Sequence, residues 1–407
     1  MRGSSRRPWL LILTFTTAMG GCGATPRSDT ATVRDSAGVR LVLSTRPVWT
    51  EQDAWRLDPS PDPVIGTSEG PAEYELSWIW DATRLASGGI IVGVAGAHEL
   101  RWYDSAGVFI RRAGRKGSGP GEFGDASDLR MWSLPQGQVA VRDVGASRVN
   151  VFDTAGAFVR TILLTPPAMA SRPTLIGTFA DGGLLALAWA GDGAVVPGKV
   201  TRTAVRYLRY GGDGTPTNEI SRADNAPRYT HSVEGATHFP FLPLTAEPVA
   251  VADSASVLVL RNGDPVVERY DASGRLIARY AWQPGRQPVT PEFYRRYADA
   301  QLATASDPVQ KRLYQAYYAL DLPLPDTAPS STELHVDDTR HIWVERFRFP
   351  GAVERTWDIL DPEGRWLGVV KFPGRFWFHR AGRDYLLGTS MDSLDVERVE
   401  LHRLVRP

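Results

Sequence analysis

The chain has 407 residues, of which 43% are hydrophobic and 23% are charged, so it has enough apolar material for a sizeable core. The 46 Lys and Arg residues balance the 46 Asp and Glu residues, and no basic block follows the first residues, which argues against a nucleic-acid binder. A single cysteine excludes internal disulfides, so packing must supply the stability.

The first residues have the layout of a bacterial export signal. A positive region with Arg2, Arg6 and Arg7 precedes a short apolar run, WLLILTFTTA at 9–18. This run is too short to cross a bilayer as a helix, which takes about 20 residues. The paired arginines leave open whether the general or the twin-arginine route exports the chain.

The apolar run ends at Met19-Gly-Gly-Cys22, which resembles the lipobox of bacterial lipoproteins, with Met19 in place of the usual Leu. The resemblance implies that residues 1–21 are removed and that Cys22 is lipidated and becomes the mature N-terminus. An ordinary signal peptide that happens to contain a cysteine is the alternative. The small and polar residues 22–32 predict a flexible tether. We therefore expect an exported protein that is held in the cell envelope, at the outer membrane or in the periplasm, by its lipid alone.

Two short strand-turn-strand units recur along residues 33–407 and indicate the fold. In the first unit, apolar strands flank an Asp-x-x-Gly turn, in which Asp caps the turn and Gly takes a positive φ. Its copies begin at Asp35, Asp104, Asp153, Asp271 and Asp361, with a degenerate copy at 211–214. In the second unit, a tight turn precedes a strongly apolar strand. Its six copies lie at 86–93, 134–141, 180–187, 253–260, 337–344 and 381–388. Two such hairpins in succession make a four-stranded propeller blade.

The number of units predicts an all-β fold, a six-bladed β-propeller closed by a blade shared between the N- and C-termini. No second hairpin follows the sixth copy, so the strand at 397–405 needs a partner from elsewhere in the chain. We expect Val39–Ser44 to supply it by antiparallel pairing. Closure matters because an open ring leaves unpaired strand edges. An unclosed pair of β-sandwiches is the alternative architecture.

Two connecting segments, Gly70–Tyr74 and Gly119–Phe123, share the pattern Gly-Pro-x-Glu-aromatic. This pattern resembles the inter-blade signature of NHL-repeat and related bacterial six-bladed propeller lipoproteins. The resemblance implies the propeller fold, export and a binding role, and it does not imply one reaction. Glu73 and Glu122 of the pattern are interpreted as acceptors for backbone N–H groups of the loop, with catalysis as the alternative.

The long connections all fall on one face of the predicted propeller, where we therefore expect the ligand to bind. They lie at 190–203, 221–247, 281–333 and 347–356. The longest should contain a small helical insertion at about 290–322, because Thr290-Pro291 and Asp307-Pro308 are typical helix starts. Its tyrosines are interpreted as packing the helices onto the propeller rim, with a pocket lining as the alternative.

Charged and histidine side chains on this face are the candidate ligand-binding residues. Converging arginines would suit a carboxylate, phosphate or uronate, and solvated rim charge is the alternative. Two histidines in one loop are fewer than the three or four ligands of a metal site, so no metal is expected. The candidates are Arg142, Asp143, Arg148, His231, His238, Arg346 and Arg348. Most of the abundant tryptophans should pack between blades, with one or two free to stack on a sugar.

The sequence contains no nucleophile elbow, phosphate-binding loop or Cys/His zinc pattern, so no catalytic residue is assigned. It favours a monomeric binding module in the cell envelope, with an envelope protein, a peptide or a carbohydrate as its partner and without a cofactor. A hydrolase or lyase of the lactonase kind, with its site at the channel mouth, is the alternative, since such enzymes occur on this architecture.

Overall fold

The computed structural model describes residues 30–406 except 126–127, 145–147, 169–170, 191–195 and 234. Six sheets surround a central channel, and the inner strands of neighbouring sheets contact one another around the ring. The six-bladed β-propeller predicted from the repeats is confirmed. The predicted export signal, Cys22 and most of the predicted tether lie outside the described residues.

The first three blades each have four antiparallel strands, which follow one another from the channel outward. Those of blade 1 are Ile79–Arg84, Ile90–Val94, Glu99–Tyr103 and Phe109–Ala113. Those of blade 2 are Met131–Leu134, Gln138–Asp143, Arg148–Asp153 and Phe158–Leu163. Those of blade 3 are Thr174–Thr178, Leu184–Ala190, Ala204–Tyr210 and Pro216–Asp224.

The last three blades follow the same order but differ at their outer edges. The first four strands of blade 4 are Val249–Asp253, Ser256–Leu260, Val266–Asp271 and Leu276–Trp282. Those of blade 5 are Ser331–Val336, Ile342–Arg346, Glu354–Leu360 and Trp366–Pro373. The first three of blade 6 are Phe376–Ala381, Tyr385–Met391 and Glu397–Val405.

The turns between the third and fourth strands form as the Asp-x-x-Gly pattern predicts. In blade 1, Asp104 Oδ1 accepts hydrogen bonds from the backbone N–H groups of Ala106 and Val108, both at 2.9 Å. Gly107 has a φ of +80°, which a residue with a side chain adopts only under strain. All such turns lie on one face of the ring. The long connections lie on the other, which we call the long-loop face.

The strand that closes the ring is not the one predicted. The fourth strand of blade 6 consists of Arg56–Leu57 and Val64–Ile65, which pair antiparallel with Glu397–Val405. Between the two pieces, the Asp58 N–H donates to the Arg403 carbonyl at 2.9 Å, so the edge stays covered. The blade is still shared between the two ends of the chain. The closing strand leads directly into blade 1, whereas Val39–Ser44 lies further from it along the chain. This explains why the closing strand, and not Val39–Ser44, pairs with Glu397–Val405.

Val39–Ser44 instead extends blade 4. It runs parallel to Leu276–Trp282, with Arg40 opposite Ala278 and Ser44 opposite Trp282. Ala31–Ser36 folds back onto it as the outermost strand, so blade 4 has six strands. We call these two strands the edge hairpin.

The helical insertion forms as predicted, with helix α1 at Pro291–Thr304 and helix α2 at Pro308–Tyr318. Thr290 Oγ1 caps α1 by accepting from the Phe293 N–H at 3.1 Å. The tyrosines pack the helices onto the long-loop face: Tyr317 is buried, and its hydroxyl donates to the Phe241 carbonyl at 2.9 Å. Two further strand pairs occur on this face, Val200–Thr201 with Arg228–Tyr229 and His231–Val233 with Ala236–His238.

Two single-turn 3-10 segments, Ala95–Ala97 and Pro135–Gly137, complete the regular structure of the described residues. Within that part of the chain, no helix has the length and apolar character needed to cross a membrane.

Candidate functional site

The central channel opens on the long-loop face into a cavity of about 1230 Å³. All six blades line it, because the inner strands begin, and the second strands end, at this face. Small-molecule pockets usually measure roughly 300–1,000 Å³. The cavity therefore has room for a ligand of several rings.

Five tryptophans from four neighbouring blades line this cavity, and we call them the tryptophan arc. Trp80, Trp132 and Trp377 each hold the second position of an inner strand, in blades 1, 2 and 6. Trp78 precedes the inner strand of blade 1, and Trp189 lies near the end of the second strand of blade 3. All but Trp132 are between 38% and 70% exposed. Large apolar rings left open to water in a concave surface are typical of a binding site.

Other tryptophans behave as the sequence predicts and pack inside the propeller. Trp102, Trp343, Trp357 and Trp366 are at most 5% exposed and belong to the apolar clusters between blades. The contrast shows that the exposure of the tryptophan arc is a property of the cavity and not of tryptophan placement in general.

Two arginines in the cavity wall are held by carboxylates of the same wall. Arg142 Nε donates to Asp128 Oδ1 at 2.7 Å, its Nη2 contacts the other carboxylate oxygen, and its Nη1 donates to the Leu175 carbonyl at 2.8 Å. Arg380 Nη2 donates to Asp81 Oδ2 at 2.8 Å. These hydrogen bonds fix the orientation of both arginine side chains within the wall, so neither is free to turn toward a ligand.

The blade 5 side of the cavity carries the same compensation. Arg355 is buried and donates from Nε to Glu345 Oε1 at 2.6 Å, while its Nη2 lies 3.5 Å from Glu333 Oε1. Burial alone would raise the pKa of Glu333. Its neighbours His335, Arg355 and Arg130 outweigh this effect and lower the pKa to about 2. Glu333 is therefore ionised at neutral pH.

A buried Asp-His pair lies where blades 1 and 6 meet. Burial lowers the pKa of His379 to about 4 against the opposing charge of Asp81, so the ring is neutral at neutral pH. His379 Nε2 is 2.7 Å from Thr389 Oγ1, and its Nδ1 is 3.6 Å from Asp81 Oδ1. Asp81 Oδ2 accepts from the Met131 N–H at 2.8 Å and from Arg380.

The other carboxylate oxygen of Asp81, Oδ1, has no hydrogen-bond partner in the structure, although the residue is only 3% exposed. A buried acceptor without a donor costs about 1–3 kcal/mol. The atom is enclosed within the wall, so a ligand in the cavity does not reach it in this conformation.

Of the candidates predicted from the sequence, Arg142 is the one that lines the cavity. Asp143 and Arg148 lie behind it: Arg148 Nε donates to Asp143 Oδ2 at 3.1 Å, and its Nη2 donates to the Glu122 carbonyl at 2.6 Å. They hold the Gly-Pro-x-Glu-Phe connection in place. The structural interpretation of Glu122 is confirmed, since its carboxylate accepts from the Gly119 N–H at 2.7 Å.

The remaining candidates lie outside the cavity wall. His231 is buried and stacks on Tyr317 with ring centroids 5.1 Å apart, and His238 lies next to it. Arg346 donates two hydrogen bonds to the buried Asp358, at 3.0 and 2.7 Å. Arg348 donates to the Gly374 carbonyl at 3.0 Å. Among the described residues, no three His, Cys, Asp or Glu side chains are grouped as metal ligands.

No family model matches the chain, and no curated protein matches it. Several solved bacterial propeller structures are similar to it. A Bacteroides fragilis protein whose export is presumed is 12% identical, with a TM-score of 0.48 over 90% of this chain and 99% of that one. A DUF4221 member from Bacteroides vulgatus is 10% identical, with a TM-score of 0.45 over 88% of this chain and 100% of that one. Virginiamycin B lyase from Staphylococcus aureus is 10% identical, with a TM-score of 0.41 over 86% of this chain and 100% of that one.

These similarities identify no ligand for this chain. What the cavity binds has to follow from its own side chains.

Proposed function

We propose that the protein is an exported, lipid-anchored, monomeric β-propeller that binds a ligand in the cavity of the long-loop face. The tryptophan arc is the observation that carries this proposal. Several large rings are kept open to water at one cavity, whereas the tryptophans between the blades are buried. A ligand that covers these rings would gain free energy from the apolar area removed from water.

A hydrolase or lyase with its site in the same cavity is the second candidate. The pair of Asp81 and His379 favours it, because an Asp next to a neutral His is a common arrangement for proton transfer. However, a histidine with a pKa of about 4 is a weak base at neutral pH, when the most effective general bases have a pKa near the working pH. Binding is therefore the function that the geometry supports best.

The proposal predicts that ligand binding depends on the tryptophan arc. Thermal unfolding of the purified protein is measured with fractions of a soluble envelope extract. We expect at least one fraction to raise the midpoint for the unaltered protein, because a ligand that binds only the folded state stabilises it. The same fraction should have much less effect on the double variant Trp80→Ala, Trp189→Ala.

Phe239→Ala is the matched control, since Phe239 is an exposed ring outside the cavity wall. It should keep the full response. A fraction that stabilises the double variant as strongly as the unaltered protein would place the ligand elsewhere. If the active component is consumed during the incubation, and Asp81→Asn or His379→Ala stops its consumption, the enzyme candidate replaces the binding one.

The anchor proposal predicts that Cys22→Ser releases the protein from membranes. A thioether-linked lipid at Cys22 would be the one membrane signal left after the removal of residues 1–21. Membrane and soluble fractions of cells that express each form give the answer in a single immunoblot. If the Ser variant stays with the membranes, the chain has another means of attachment and the lipoprotein proposal is wrong.

A further inference from the structure

The tryptophan arc spans four consecutive blades of the ring, which are blades 6, 1, 2 and 3. Among the described residues, none of its rings is in contact with another ring of the arc, so the rings are spread along the wall and do not form one cage. A small aromatic molecule or cation would touch one such ring. A ligand that uses several of them must itself be extended and must present more than one apolar face.

Charged groups lie between the rings of the arc and on blade 5, and all of the arginines among them have a carboxylate nearby, whereas Glu247 of blade 4 is an exposed carboxylate in the same cavity. The arginines that would attract an anion are paired: Arg142 with Asp128, Arg380 with Asp81, and Arg355 with Glu345. Glu397 accepts from the Ile79 N–H at 3.0 Å. Arg130 is half exposed, but the ionised Glu333 lies within reach of its charge. A charged ligand would have to separate these pairs, which costs the desolvation of a partner left alone.

The polar groups that remain are single acceptors and donors suited to hydroxyl groups. The Glu247 carboxylate of blade 4 lines the cavity and is exposed, so it can accept from a ligand hydroxyl. Thr389, the guanidinium edge of Arg380 and the ring of His335 also line the wall. A hydroxyl both donates and accepts, so a ligand rich in hydroxyls matches a wall in which carboxylates and guanidinium groups alternate.

We propose that the ligand is an uncharged oligosaccharide, with sugar rings lying on the tryptophan arc and hydroxyl groups directed at Glu247 and at the polar groups of blades 5 and 6. This inference rests on the proposed binding function and adds the chemical class of the ligand. It also changes the expectation from the sequence, in which converging arginines pointed to a carboxylate, phosphate or uronate.

The test uses the full chain in its Cys22→Ser form and four neutral hexasaccharides: maltohexaose, cellohexaose, mannohexaose and N-acetylchitohexaose. Hexagalacturonate is the charged probe, and glucose, mannose and N-acetylglucosamine are the single-ring probes. Tryptophan fluorescence and calorimetry report binding. We expect one neutral hexasaccharide to bind more tightly than its monosaccharide, with an affinity that is nearly the same at about 0.05 and 0.5 M NaCl because no ion pair forms.

Trp80→Ala and Trp189→Ala should each weaken the binding of that hexasaccharide roughly 2- to 12-fold, as expected for the loss of one ring contact. Glu247→Ala should also weaken its binding, and Phe239→Ala should not. Circular dichroism of each variant separates loss of binding from loss of fold.

Tighter binding of hexagalacturonate, weakened by salt, would overturn the inference in favour of an acidic ligand. A second result would be that none of the hexasaccharides binds while an envelope fraction still stabilises the protein through the tryptophan arc. That result would overturn the inference and leave the proposed binding function intact. If neither sugars nor fractions act through these rings, both proposals fail.

Discussion

Ile65→Asp should lower the free energy of unfolding by roughly 5 kcal/mol or more, because it places a carboxylate in the junction that closes the ring. Ile65 is 1% exposed and packs between blades 1 and 6, in one cluster with Ile90, Leu387 and Val399. Its backbone also pairs with Val399. Urea unfolding followed by circular dichroism measures the loss.

Val64→Asp is the control, since the neighbouring Val64 lies on the same short strand but is 46% exposed. We expect a change within about 0.5 kcal/mol. Equal losses for the two variants would mean that the strand does not close the ring in the register described. A large loss confined to Ile65→Asp would confirm that packing between the first and last blades holds the propeller together.

Arg346→Ala should lower the free energy of unfolding by about 3 kcal/mol at neutral pH, because it leaves Asp358 buried without its cation. Asp358 is fully buried and accepts two hydrogen bonds from Arg346 and one from Trp282 Nε1 at 3.1 Å. The variant should bind the cavity ligand with unchanged affinity. If the variant bound the ligand more weakly while its stability stayed unchanged, this would instead support the binding role predicted for Arg346 from the sequence.

The loss caused by Arg346→Ala should shrink as the pH falls. Burial raises the pKa of Asp358 above its usual 3.8, and Arg346 opposes that rise. Without Arg346 the folded-state pKa is higher still, so below it the folded state binds one more proton than the unfolded state. Stability then increases as the pH falls toward the unfolded-state pKa. The double variant Arg346→Leu, Asp358→Asn removes both charges and should recover most of the stability without this pH dependence.

The sequence predicts the blades well because their signals are local. An Asp and a Gly three residues apart fix a hairpin turn through hydrogen bonds to the next few residues, as at Asp104 and Gly107. The closing strand was missed because its signal is short and interrupted: two pairs of strand residues flank a stretch with Pro61 and Pro63. Val39–Ser44 has the stronger strand pattern, and it pairs with blade 4 instead.

The site was harder to predict because it depends on which partners the fold supplies. An arginine looks the same in the sequence whether it faces a ligand or a buried carboxylate, and Arg346 and Arg142 are both tied to carboxylates in the folded chain. Asp81 and His379 are brought together from nearly opposite ends of the chain. The one signal that was available is the recurrence of Trp80, Trp132 and Trp377 at the second position of three inner strands, which becomes visible only when the blades are aligned.

A crystal structure of the protein with its stabilising ligand tests the central claim most directly. We expect electron density for the ligand in the cavity of the long-loop face, in contact with at least two rings of the tryptophan arc and with a donor group within about 3.2 Å of a carboxylate oxygen of Glu247. Density at the rim beside helices α1 and α2, or along the edge hairpin, with the tryptophan arc left open to solvent, would contradict it.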